Sequence, residues 1–514
     1  MITQTHSQQE VLSVLQGAEV GAVATASGES LRNRMMHFAV DAGFTIYLAT
    51  MKGDPKTVQM TRQPAISILV HKSEPDINNS REVEVTGRAV FVTDNRERER
   101  ALEITAQKSP VVKYLTSTGN AQVLDCIKVI PEVIKYRIFG EIVQGMPPTV
   151  IDFPQNRVVV NDWSRLKNKA KLWYLELRPS FLTATLVPVF LGTAIAWAVT
   201  GNLSWGYFVL TLLAALLLHG GTDVMNDYFD HRSGNDEANQ EFVRPFSGGS
   251  RFIQLGLLSP VEVLAEGLIL FTAGILLGLY LAWVRGPFIL ALGAMAILSG
   301  FFYTGRPFNW ASRGLGELLI GLNFGPLMVL GAYYMQTHSF SWLPVLAGLP
   351  VAFLIAAVLY INEFPDYTAD KKVGKKTWVV RLGKERAVWG YVGLMAAAYI
   401  SLVIGVVAGS LPWATLVVAL SLPLAVRAVQ YARRYHTNSF DMAPANALTV
   451  TGHLAVGLLL TLAYIWQGLG TQGILYVALF GLASVAFIVY MYRYVEKHMR
   501  IFHGLKASVI SGKS

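Results

Sequence analysis

Two short stretches collect the carboxylates best placed to do chemistry. The first runs Asp223-Val-Met-Asn226-Asp227-Tyr228-Phe229-Asp230-His231-Arg232-Ser233-Gly234-Asn235-Asp236, and the second Asn362-Glu-Phe-Pro-Asp366-Tyr367-Thr-Ala-Asp370-Lys371-Lys372. On a helix Asn226 and Asp230 share a face, as do Asn362, Asp366 and Asp370, because residues four apart stack one above the other. A row of like charges beside an apolar phase is costly to desolvate, and a divalent cation removes that cost. Mg²⁺ takes a few carboxylates and completes its shell with water and phosphate oxygens, so two facing Asp rows can grip a diphosphate between them. Arg244, Arg251, Lys371, Lys372 and Lys375 stand near enough in sequence to touch phosphate oxygens directly.

A diphosphate grip at the mouth of an apolar helical bundle suits a ligand with an anionic head and a long hydrocarbon tail, and polyprenyl diphosphate is such a ligand. Breaking its allylic C–O bond puts charge on the leaving diphosphate, where metal and cations stabilise it. The π-faces of Tyr228, Phe229, Tyr303 and Tyr367 can shield the allylic cation left behind. Acidic residues at a helix end are commonly just solvated or capping, but two such clusters, each with an Asn before the Asp and each after an even-numbered apolar stretch, argue against that. His219 reads as a packing residue.

The elements that must position these residues follow from composition. Of 514 residues, 53% are hydrophobic and only 15% charged, and the mean hydropathy is +0.40. Charges are frequent before about Leu177 and rare within long stretches after it, which predicts a soluble unit followed by a membrane unit. Ten stretches have spanning length: Phe181–Thr200, Trp205–Thr222, Val261–Val284, Pro287–Tyr303, Gly314–Met335, Trp342–Ile361, Val388–Ala408, Trp413–Val429, Leu448–Ile465 and Gly473–Tyr492. Connections after odd-numbered spans lack Lys and Arg, whereas those after even-numbered spans are rich in them. The positive-inside rule therefore places both Asp clusters, both termini and the soluble unit in the cytoplasm of a cell whose inner membrane holds the spans. It also accounts for the net charge of +9 without nucleic acid as a partner. Met1 to Gln16 contain no apolar core of signal-peptide length, and the single cysteine, Cys126, excludes a disulfide and a Cys-rich metal site. Cys126 itself reads as a buried apolar residue.

Before the spans, β-type runs at Val20–Ala26, Thr45–Met51, Ala65–His71, Glu82–Val92 and Ile127–Ile138 alternate with turn signals, and helical patterns occupy Lys56–Arg62 and Asn95–Lys108. These predict an antiparallel split β-barrel with helices packed outside. The expected domains are 1–145 for the barrel, 146–171 for a linker, 172–495 for an all-α multi-span transmembrane bundle of nine to ten helices, and 496–514 for a basic cytoplasmic tail.

At Asn226-Asp-Tyr-Phe-Asp230, with Gly234 and Asp236, and at Asn362 through Asp370-Lys-Lys-Val-Gly374-Lys-Lys-Thr377, the chain resembles the UbiA superfamily of intramembrane aromatic prenyltransferases. Leu177-Arg-Pro179, Phe302-Tyr-Thr304, Gly314-Leu-Gly-Glu317 and Asn323-Phe-Gly-Pro326 carry the same likeness, over about Leu175 to Gly468. The branch it looks most like acts on 1,4-dihydroxy-2-naphthoate in menaquinone synthesis. The resemblance implies nine spans and transfer of a polyprenyl group to an aromatic acceptor. It implies Asp227, Asp230, Asp236, Asp366 and Asp370 as Mg²⁺–diphosphate ligands, Asn226 and Asn362 as supporting amides, and Arg244, Lys372 and Lys375 as phosphate contacts. Asp223 departs from it, standing where relatives carry an amide, and Phe246-Ser-Gly-Gly-Ser-Arg251 is only loosely similar.

The first unit is similar to the FMN-binding split barrel of the pyridoxamine 5′-phosphate oxidase-like superfamily, through Arg34-Met-Met36, Tyr47-Leu-Ala-Thr50, Lys52, Lys56 and Glu84-Val-Thr-Gly87. That likeness implies an FMN phosphate held by Arg34, Thr50, Lys52 and Lys56, and a homodimer formed through the barrel. The residues alone leave open haem, a deazaflavin or no cofactor. Two other functions stay open at this level: a flavin-linked quinone redox enzyme with a membrane domain, and a transporter with a cytosolic regulatory domain. Transporters usually set ionisable groups near the midplane, whereas these clusters lie at helix ends.

Overall fold

The computed structural model describes residues 6–27, 30–156, 162–179, 181–239, 241, 247–254, 257–439 and 441–470, with short pieces between 474 and 493. The chain divides into two compact units, one built on Met1–Leu172 and the other on Trp173–Gln254 and Pro260–Met499.

The first unit is a closed antiparallel barrel. Its strands are β1 (Val20–Ser27), β2 (Ser30–Val40), β3 (Ile46–Met51), β4 (Ala65–Lys72), β5 (Arg81–Phe91) and β6 (Leu124–Ile138), in the order β3-β2-β1-β4-β5-β6 with β6 returning to β3, and β7 (Thr149–Asp152) is added outside on β6. Closure removes the open edges that a curled sheet would otherwise present. The interior takes alternate residues of every strand, among them Val23, Phe38, Ile46, Ile68, Val85 and Ile127, all fully buried. The long β5–β6 pairing bends at a bulge between Thr86 and Gly87, where a Cβ would run into the Ile130 carbonyl oxygen, so glycine alone fits.

Several elements of this unit lie outside the runs predicted from residue alternation. Helix α1 (Gln8–Gly17) is capped by Ser7, whose hydroxyl accepts from the Glu10 N–H, and buries Val11, Val14 and Leu15. Lys108 completes it from the far end by donating to the Gln16 and Ala18 carbonyls. Strand β2 was masked by Arg32, Asn33 and Arg34, which interrupt its apolar alternation. The stretch 146–171, expected as linker, contains β7 and the start of helix Asp162–Glu176. Helices α2 (Pro55–Arg62) and α3 (Asn95–Ala106) lie where predicted, and α4 (Pro110–Ser117) follows them.

Among the described residues of the second unit, nine helices are long and apolar enough to cross a membrane: Thr183–Thr200, Trp205–Ser233, Pro260–Arg285, Pro287–Thr304, Gly316–Thr337, Trp342–Lys372, Lys384–Val407, Trp413–Tyr435 and Ala443–Leu469. They match the first nine predicted stretches; of the tenth, Gly473–Tyr492, residues 474–475, 478–479, 481–487 and 489–490 are helical and the rest lie outside the described residues. The first, sixth and ninth are the most enclosed. Close approach depends on missing side chains: at Gly192 of the first span a Cβ would strike the Val329 carbonyl of the fifth. The fifth span contains a π-turn over Asn323–Leu327, where Gly325 leaves helical geometry and lies against Ala352 of the sixth.

Cys126 sits on β6 with only 3% of its surface exposed, and burial pushes its thiol up to about 11. Both features suppress the reactive thiolate. At pH 8 a thiol reagent is expected to label the native protein at a small fraction of its rate in denaturant; equal rates would contradict the burial.

Candidate functional site

The second and sixth spans run several turns past the apolar stretches that defined them, and those extra turns carry the acidic residues. Span two continues through Asp223, Asn226, Asp227 and Asp230 to Ser233, where Gly234 adopts a left-handed conformation and returns its N–H to the Asp230 and His231 carbonyls. Span six continues through Asn362, Asp366 and Asp370 to Lys372. Both rows lie at the negative ends of their helix dipoles, which adds to the repulsion among the carboxylates. Cations and amides from neighbouring turns offset it.

Lys375 links the two rows. Its ammonium lies 2.7 Å from Asp230 Oδ1 and 3.9 Å from Asp370 Oδ1. Against the penalty of burial, these carboxylates hold it well above the usual lysine range. The short helix Asn235–Ala238 and the residue after it make a second link: Asn239 donates to Asp366 Oδ1 at 2.7 Å, and Asn235 hydrogen-bonds Asp370. Asp236 lies between, its carboxyl pushed up to about 8 by burial and by the Asp227 and Asp230 charges. Arg251 donates to the Asp236 carbonyl.

Asp227 occupies a different place from the other acids. It is 3% exposed and turned toward the Gly248–Ser250 loop, accepting from the Ser250 N–H at 2.9 Å, with Arg178 at 3.4 Å. A Cβ on Gly249 would come within 2.7 Å of its Oδ1. That oxygen and Oδ2 of Asp223 are buried without a hydrogen bond. Arg178 also approaches Asp223 at 3.9 Å, so it serves this side of the site as Lys375 serves the other.

The rows open into a cavity of about 400 Å³. Its polar end is lined by Asn226, Asp230, Asp236, Asn362, Asp366, Asp370, Lys375 and Tyr303, and its depth by apolar residues of the second, fourth, fifth and sixth spans. Asn226 donates to Asp230 Oδ2 at 3.5 Å, and Asn362 accepts from Asn446 at 2.7 Å, so each amide is tied to its surroundings. Tyr228, Tyr367 and Lys372 lie off the lining: Tyr228 packs on Phe229 and accepts from Arg232, Tyr367 lies beneath Lys371 and Lys384, and Lys372 is exposed. Arg244 falls outside the described residues. His219, read as a packing residue, lines the cavity and meets Thr185 at 2.8 Å.

Several residues here were missed in the sequence. Asn235 and Asn239 follow Gly234 with helical spacing and carried the only available signal. Arg178 was noted within Leu177-Arg-Pro179 but given no task. Glu363 lines the cavity and is buried, as is Glu317, which accepts from the Trp378 N–H at 3.3 Å. Both stand within motifs quoted above, without a role of their own.

Among the described residues no three carboxylate or imidazole groups converge on one point. A cation here would therefore be shared with phosphate oxygens and water instead of being caged by protein. The carboxylates of Asp230, Asp236, Asp366 and Asp370 that line the mouth fit that sharing.

In the barrel, Arg34, Thr50 and Lys56 gather about the N-terminus of α2. Arg34 donates to Thr25 and to Gln59, the latter at 2.8 Å, and its Nε is buried without a partner. Thr50 donates to Asp54 at 3.5 Å, and Asp54 pairs with Lys56 at 2.9 Å. Lys52 is exposed and lies toward Asp125.

Among the described residues, nine helices are long and apolar enough to cross a membrane and the first six line a chamber with an acidic mouth, the arrangement of a multi-pass membrane protein. Residues 185–443 match the UbiA prenyltransferase family, and the chain belongs to that family. It is similar to a 2-carboxy-1,4-naphthoquinone phytyltransferase of Synechocystis sp., 31% identical over 58% of this chain and 95% of the relative. A 1,4-dihydroxy-2-naphthoate octaprenyltransferase of Bacillus subtilis is 32% identical over 50% of this chain and 81% of the relative. For the barrel, a putative pyridoxamine 5′-phosphate oxidase from Listeria innocua aligns at 26% identity and TM-score 0.20, covering 26% of this chain and 97% of that one. A FAD-binding protein from Mesorhizobium loti aligns at 20% and 0.22, covering 26% and 96%.

Replacing Lys375 by Ala leaves Asp230 and Asp370 facing one another without their shared cation, a loss of about 3 kcal/mol for a buried pair. Thermal unfolding in detergent should show a midpoint several degrees lower in divalent-free buffer, partly restored by Mg²⁺. An unchanged midpoint would show that the ammonium is not what holds the rows together.

Proposed function

We propose that the protein transfers a polyprenyl group from its diphosphate to 1,4-dihydroxy-2-naphthoate, in menaquinone biosynthesis, with Mg²⁺ as cofactor. The observation that carries this reading is the meeting of the two Asp rows, through Lys375–Asp230 and Asn239–Asp366, at the mouth of an apolar cavity. Naphthoate-type acceptors in the names of both relatives support the choice of acceptor.

In this reading Asp230, Asp236, Asp366 and Asp370, with Asp227 as a further carboxylate, would hold Mg²⁺, whose positive charge would offset that of the diphosphate. Asn226 and Asn362 keep the carboxylates aimed at the mouth. Lys375 exchanges part of its contact with Asp230 for a phosphate oxygen, and Arg244 and Lys372 are the further phosphate contacts of this reading. The ring of Tyr303 faces the carbon that loses the diphosphate and shields its positive charge. The apolar lining keeps water from capturing that carbon, so the electron-rich acceptor ring is the nucleophile. The acceptor carboxyl then departs as carbon dioxide and its electron pair restores the aromatic ring.

The barrel binds FMN through Arg34, Thr50, Lys52 and Lys56 and forms a homodimer. The unpartnered Nε of Arg34 supports the phosphate site, and flavin would supply redox chemistry suited to a quinone product. Loop charge supports a place in the cell (inner) membrane with both termini cytoplasmic.

Asp366→Ala and Asp230→Ala are each expected to reduce prenyl transfer in membranes by at least about 100-fold with protein levels unchanged; retained transfer would sink the assignment. Purified protein should show flavin absorbance that Arg34→Ala removes. A colourless protein that takes up no FMN would leave the barrel without this role.

A further inference from the structure

The sixth span carries a proline inside its helix, Pro365, one residue before Asp366. Proline has no N–H, so the Ile361 carbonyl four residues earlier loses the donor that a helix would otherwise give it. Asn446, in the first turn of the ninth span and fully buried, supplies a replacement: its Nδ2 donates to the Ile361 carbonyl at 3.2 Å. The same nitrogen donates to Asn362 Oδ1 at 2.7 Å.

This arrangement has only one sense. A backbone carbonyl can only accept, so the end of Asn446 beside Ile361 must be its NH₂, and the atom of Asn362 that meets it must be oxygen. Turning Asn446 over would set its own oxygen against two acceptors. The oxygen Oδ1 of Asn446 is instead buried without a hydrogen bond. Asn362 thus has its acceptor end tied to the ninth span, while its Nδ2 makes no hydrogen bond among the described residues and the residue lines the cavity. What it can offer a ligand is a pair of N–H groups, which suit a phosphate oxygen and repel a cation.

We propose that Asn446 is a positioning residue that fixes Asn362 as a hydrogen-bond donor to the anionic head of the ligand and not as an oxygen ligand of its metal ion. Asn446 lies outside residues 185–443. The proposal rests on the diphosphate reading above and deepens it, since it sets which end of the supporting amide faces the phosphate.

The test uses the full chain purified in detergent, with inorganic pyrophosphate titrated calorimetrically at fixed Mg²⁺, and membranes carrying the same chain for prenyl transfer. Asn446→Asp keeps the shape but cannot donate, so Asn362 turns its NH₂ toward it and presents oxygen to the cavity. Pyrophosphate should then bind at least about tenfold more weakly, and KM for the prenyl diphosphate should rise alike, while KM for the aromatic acceptor stays within about twofold. Asn362→Asp reads the same contrast from the cavity side if Asn446→Asp does not accumulate. Asn446 still donates to one of its carboxylate oxygens, the other replaces the N–H groups, and pyrophosphate again binds at least about tenfold more weakly. An amide acting on the metal through oxygen gives the opposite result, because a carboxylate there lowers the Mg²⁺ concentration that half-saturates pyrophosphate binding. That result, pyrophosphate affinities within about twofold of the wild type, or an acceptor KM that moves as far as the donor KM would each overturn the proposal. A wild type that binds pyrophosphate with Mg²⁺ but transfers no prenyl group would instead overturn the reading of function.

Discussion

The membrane unit depends on a charge imbalance that its own helices create. Two rows of carboxylates stand at the C-terminal ends of long helices, where the dipole is already negative and where burial strips away water. Left alone they would force the helix ends apart. Lys375 between Asp230 and Asp370, Arg178 beside Asp223 and Asp227, and the amides of Asn235 and Asn239 hold the ends together. A site balanced in this way is poised for an anionic ligand that arrives with its own cations, because the resident cations can then turn from carboxylate to phosphate.

The two units solve different packing problems. The barrel buries alternate strand residues and closes on itself, so its stability comes from a sealed sheet and a continuous apolar interior. The helical unit keeps its second, third and fourth spans comparatively open while the first, sixth and ninth are enclosed. Its chamber is lined by the first six spans, open and enclosed alike, and at Gly278 and Gly293 no neighbour stands where a Cβ would be.

Much of this was legible from the residues. Continuous apolar runs of spanning length can do little else in water, so each of the nine spans found among the described residues was located, though the second and sixth run several turns further. The four-residue spacing of Asn226 and Asp230, and of Asn362, Asp366 and Asp370, was enough to put each row on one face. Strand β2 and helix α1 were not legible, because Arg32-Asn-Arg34 breaks the alternation of one and the other draws its apolar contacts from the barrel.

The sequence by itself determined that a membrane bundle bears two carboxylate rows at helix ends, since hydropathy and local spacing depend on neighbours along the chain. Only the tertiary structure decided which groups balance those rows. The pairing of Lys375 with Asp230 joins residues 145 positions apart, Asn239 reaches Asp366 across 127, and Asp227 turns away from the chamber toward Ser250. Such contacts are set by how helices pack in three dimensions, and no periodicity along one helix records which face another will present to it.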